Sequence, residues 1–160
     1  GFKMIDQINY NNRKKTNWQM SEKLWMGGIY LKEEGGYKII LKSLNHYKKR
    51  LQTIHASPEL KEAAAMFAPV LQSQAKKRIP IINETKEKIE QGLLNLIPIQ
   101  SLEQNLEILE KALECRMADI EKAEDTGAEY FMKLIGNLQE ARNDLEPIKN
   151  ALQKIKQYLE

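Results

Sequence analysis

Pairs of glutamates three residues apart recur along this chain: Glu59/Glu62, Glu84/Glu87/Glu90, Glu107/Glu110 and Glu121/Glu124. On a helix that spacing sets the carboxylates on one face. Where two such faces converge they can hold Mg2+ or a two-metal centre for hydrolysis. Phase argues against this here. Glu107 and Glu110 each follow a core-phase leucine by one position, about 100° around a helix from its seam. Glu121 and Glu124 stand in the same relation to Ile120 and Ala123. These flanking positions are where glutamates face solvent and pair with lysines, so no residue is assigned as a metal ligand.

The histidines offer no better centre. A di-iron bundle needs Glu-x-x-His on each of two helices, but Ser43 precedes His46 and Gln52 precedes His55 at that distance. The two lie too far apart along one helix to share a metal. His55, just before Ser57-Pro58, suits a helix C-terminus, where a cation is favoured. Cys115 is the only cysteine, which excludes an intrachain disulfide and fits a reducing compartment. It lies roughly 200° from Leu113 on a helix, beside Glu114 and Arg116, with no histidine in that half of the chain. An inert packing residue is expected. Glycine-rich phosphate loops and nucleophile elbows are absent, so no catalytic residue and no cofactor is expected.

Charge is the asymmetric feature. Residues 1–56 carry 11 Lys/Arg against 4 Asp/Glu, whereas residues 99–160 carry 8 against 13. The basic part also holds seven of the eleven aromatics. Cations on phosphates with rings stacked on bases is the chemistry of nucleic-acid binding. Arg13, Lys14, Lys15 and Trp18, with Tyr47, Lys48, Lys49 and Arg50, are the candidate anion or nucleic-acid contacts. The competing reading sets this basic segment against the acidic C-terminal part of the same chain or a neighbour. A sequence pI of 8.8 falls short of the value near 9 that marks a basic nucleic-acid footprint.

Leu, Lys, Glu, Ala and Gln dominate the composition, and these side chains lose little rotamer freedom in a helix. A 160-residue chain is of one-domain length. A polar, partly ordered N-terminal arm is expected over residues 1–20, followed by a single helical-bundle domain over 21–160. After Ser21 a short helix precedes Gly27-Gly28. A β-hairpin through Ile29–Leu31 and Tyr37–Ile40 is the competing pattern there. From Tyr37 to His55, Ile40, Leu41, Leu44, Tyr47, Leu51 and Ile54 keep the spacing of one helix face.

Ser57-Pro58-Glu59 reads as a helix start; the helix beyond it carries Pro69 as an expected kink, and Pro80 either kinks it again or starts a new helix. Ser101-Leu102-Glu103-Gln104 and Thr126-Gly127-Ala128-Glu129 read as capping boxes. From Phe131 to Leu159 the apolar positions alternate three- and four-residue steps, a heptad pattern bent slightly at Pro147. Its phase does not continue that of Leu106, Leu113 and Ile120, so the helix must break between Ile120 and Phe131.

The expected fold is therefore all-α: an elongated up-down helical bundle of four to five helices ending in an antiparallel helical hairpin. No apolar run reaches membrane-spanning length, so neither a membrane partner nor a non-cytoplasmic location is expected. The leading functional expectation is a non-enzymatic protein-interaction or assembly module, with a homodimer seam through Ile108, Met132 and Ile135. Nucleic-acid binding through the basic aromatic segment comes second. A Mg-dependent hydrolase using the E-x-x-E carboxylates is third.

Overall fold

The structure, a computed structural model, describes residues 36–60, 64–95 and 102–159, together with Phe2–Lys3 and Ile5–Asp6, which pair as two-residue parallel strands. The remainder of the expected arm, the short helix after Ser21 and the capping serine Ser101 lie outside the described residues. The architecture is an all-α bundle. Five helices follow in order: α1 (Gly36–Gln52), α2 (Ala64–Asn95), α3 (Leu106–Thr126), α4 (Glu129–Ile135) and α5 (Leu138–Leu159). Tyr37–Ile40 are helical, so the hairpin reading fails for them. No helix among the described residues is long and apolar enough to cross a membrane.

The parallel pair α1 and α3 forms the centre, with α2 laid against α1 and α5 against α3. Side-chain pairs fix the directions. His46 meets Arg116 and Asp119, while Arg50, one turn later, meets Asp119. In the last pair, Glu124 meets Arg142 and Glu114 meets Lys156, so α5 runs back along α3. The core they enclose includes the fully buried Ile40, Leu44, Ile82, Ile89, Leu106, Leu109 and Leu113. Ile108 and Ile135, expected at an open dimer seam, are buried in that core, and Met132 packs against it.

Three local expectations change. Ser57-Pro58-Glu59 opens a 3-10 turn, Pro58–Leu60, rather than an α-helical one, and α2 is described over Ala64–Asn95. That helix continues through Pro69 and Pro80, so no new helix starts at Pro80. The break after α3 falls where the phase required it, but by a different device from a capping box. Gly127 adopts φ +64 and donates its N–H to the Ala123 carbonyl, ending α3 in the left-handed conformation that glycine accepts without strain. Thr126 Oγ1 accepts from the Ala128 N–H and donates to the Lys122 carbonyl. The expected long final helix is also divided. Gly136 at φ +76 ends α4, and Asn137 Oδ1 accepts the Glu140 N–H as the cap of α5.

Candidate functional site

At the junction of α1 and α3 the apolar core gives way to a chain of charged side chains. Asp119 Oδ2 accepts from His46 Nε2 at 2.8 Å and from Arg50 Nε at 3.2 Å. His46 Nδ1 lies 3.2 Å from Arg116 Nη1. A guanidinium can only donate, so Nδ1 accepts and the imidazole carries its proton on Nε2. Arg116 Nη2 reaches Asp144 at 3.0 Å, and Lys42 closes that end at 2.7 Å. At the other end Arg50 Nη2 meets Glu59 at 2.7 Å, and Glu59 also holds Lys122. Cations and anions alternate along the whole path, tying α1, α3, α5 and the 3-10 turn together.

Helix α4 roofs this chain. Tyr130 and Phe131 meet edge to face with centroids 5.2 Å apart, and the Arg50 guanidinium lies 5.5 Å from each ring. The Tyr130 hydroxyl accepts from Arg50 Nη1 at 3.4 Å and donates to the Thr53 carbonyl at 3.1 Å. The side chains of His46 and Asp119 are left 1% and 2% exposed, which closes the imidazole and carboxylate to any substrate. One donor, Arg116 Nε, is buried without a hydrogen-bond partner.

Burial pushes the His46 pKa below its ordinary 6.5, against the opposing pull of Asp119, while Arg116 and Arg50 lower it further. The unfolded chain therefore binds a proton that the folded chain resists. The resulting stability is complete above pH 6.5 and is lost as pH falls. Urea melts at pH 7 and pH 5 should show this loss, and His46→Gln should make it smaller.

Cys115 is half-buried, and its thiol donates to Asp119 Oδ2 at 3.6 Å. Burial, then the Asp119 charge, drive its pKa well above the ordinary thiol range. Since the thiolate is the nucleophile, iodoacetamide at pH 8 should label the native chain at least ~100-fold more slowly than the denatured chain. Equal rates would show an open, ionisable thiol.

His46, Cys115 and Asp119 bring three potential metal-ligand atoms within 4.8 Å of one another. Their lone pairs and protons are already committed to each other and to two guanidinium groups. A divalent ion would have to enter between those cations and ionise the thiol against burial. The cluster is built as an ionic core and does not fit a metal.

The residues singled out from sequence fall elsewhere or into other roles. Arg13, Lys14, Lys15 and Trp18 lie outside the described residues. Tyr47 is buried and its hydroxyl accepts from Arg78 at 2.8 Å; Arg50 is spent within the ionic chain. Lys48 is half-buried and Lys49 exposed. Among the glutamates, Glu59 pairs with Arg50 and Lys122, Glu84 with Lys88, and Glu124 with Arg142. Glu87, Glu90, Glu107 and Glu121 are exposed. None of these belongs to the one candidate ligand group found among the described residues. Comparison with protein-family models, with curated proteins and with solved structures gives no match.

Proposed function

We propose that this chain is a non-enzymatic assembly module that associates with copies of itself through the first turns of α2. The observation that carries the reading is the exposure of Met66, Phe67 and Val70, at 76%, 48% and 56%. Val70 follows Phe67 by three residues and Met66 by four, which sets it beside both on the helix surface. They sit in a stretch from Ala63 to Ala75 without a single charged residue. Exposed apolar clusters of this kind mark interaction surfaces. A two-fold contact sets a face against itself, so a net charge there would repel its own image; an uncharged face suits self-contact. The internal commitment of His46, Asp119, Arg50 and Cys115 supports the non-enzymatic part of the reading.

Light scattering on a size-exclusion column, up to millimolar chain, tests it. A dimer or larger species is expected, converted to monomer by Phe67→Glu with helicity unchanged by circular dichroism. A strict monomer at the highest concentration contradicts the proposal.

A further inference from the structure

A cavity of about 450 Å3 opens between the C-terminal end of α1 and helix α4, lined by Lys49, Thr53, Ala56, Glu129, Tyr130, Lys133 and Leu134. We infer that it is a binding site for a small amphipathic organic anion, an aryl or acyl carboxylate. The inference is independent of the assembly reading, because the site lies on other elements than the head of α2.

Size comes first: the cavity falls within the ~300–1,000 Å3 range of small-molecule sites. Its wall is also fixed in advance. Tyr130 is held by hydrogen bonds to Thr53 and Arg50 and by its packing on Phe131. Thr53 Oγ1 in turn donates to the Lys49 carbonyl at 2.8 Å. The wall therefore needs little ordering when a ligand arrives, which keeps the entropic cost of binding low.

The lining sets the ligand's chemistry. Leu134, Ala56 and the Tyr130 ring give an apolar surface on which a flat or aliphatic body can lie. Lys49 and Lys133 also line it. Lys49 is exposed and forms no ion pair among the described residues. Lys133 has only Glu129, at 3.5 Å, with both side chains more than three-quarters exposed. So exposed a pair contributes little and gives way readily to a second carboxylate. Arg50, behind Tyr130, is already paired with Asp119 and Glu59, so the two lysines carry the attraction for an anion. Against these stands the negative C-terminal end of α1, where Thr53 donates twice to the Lys49 carbonyl and Tyr130 donates to the Thr53 carbonyl just beyond the helix. An aromatic cation is disfavoured because the Tyr130 ring already serves Arg50.

The test uses 2-naphthoate, with 2-naphthylmethanol as the neutral probe of matching shape, in 1H–15N shift titrations of the full chain. Saturable shifts confined to residues 49–56 and 129–135 are expected with naphthoate. Binding of the alcohol should be at least tenfold weaker. The double variant Lys49→Glu/Lys133→Glu, both at exposed positions, should lose at least tenfold in naphthoate affinity while its unperturbed amide spectrum reports an intact fold. Three results would overturn the inference: no saturable shift, equal binding of the alcohol, or binding unaffected by the double charge reversal. Shifts centred on Met66–Val70 would also do so, by moving the probe to the head of α2.

Discussion

Replacing Asp119 with alanine is expected to destabilise the chain by about 3–5 kcal/mol, the range found when one partner of a buried ion pair is removed. At this chain length each kcal/mol moves the melting temperature by about 2–4 °C, so a fall near ~10 °C should be seen calorimetrically. The size follows from what is stranded. Arg50 Nε, His46 Nε2 and the Cys115 thiol all converge on one carboxylate oxygen, and water cannot reach them in its place. Glu129→Ala, which breaks an exposed pair on α4, supplies the contrast and should cost less than about 1 kcal/mol. If the two variants melted alike, the network would not be holding α1 to α3.

Truncating Leu113 to alanine should cost a comparable amount, about 3–5 kcal/mol. Leu113 is fully buried on the central helix. Its loss removes apolar contact on α3, which packs against both α1 and α5, and leaves a cavity those helices can only partly close. Leu94, 77% exposed near the end of α2, is the internal control: the same change there should fall within ~0.5 kcal/mol of neutral. Chemical denaturation of both variants with an unchanged slope would confirm that only stability has moved. A loss below ~1 kcal/mol at Leu113 would mean that α3 is not the central element of the core.

The helices and their breaks were legible because they are written in local terms. The face of Ile40, Leu44, Tyr47 and Leu51 is visible in spacing alone, and so is the phase conflict between Ile120 and Phe131. The division at Gly136-Asn137 was less visible, because the heptad runs through it without a missed step. Only the glycine conformation and the asparagine cap show where the helix stops.

The ionic core was hidden for a different reason. His46 and Asp119 are 73 residues apart in sequence, and which helix meets which is a tertiary property. Cys115 has no histidine nearby in sequence, yet His46 stands beside it in the fold. A signal did exist. Arg116 and Asp119 fall three and six residues after Leu113, in phase with the buried stripe that continues to Ile120 and Ala123. His46 and Arg50, one turn apart, likewise interrupt the buried face of α1. Charged residues in core phase on two helices, opposite in sign, are the mark of a buried pair. Their spacing on each helix says nothing of the partner.

The central claim is that this cluster is an ionic core that holds the fold together. The protonation state of His46 tests it most directly, read by long-range 1H–15N correlation of its ring nitrogens between pH 7 and 8. The account predicts a neutral ring throughout, protonated at Nε2 toward Asp119 and bare at Nδ1 toward Arg116. An imidazolium at pH 7, or a proton on Nδ1, would contradict it.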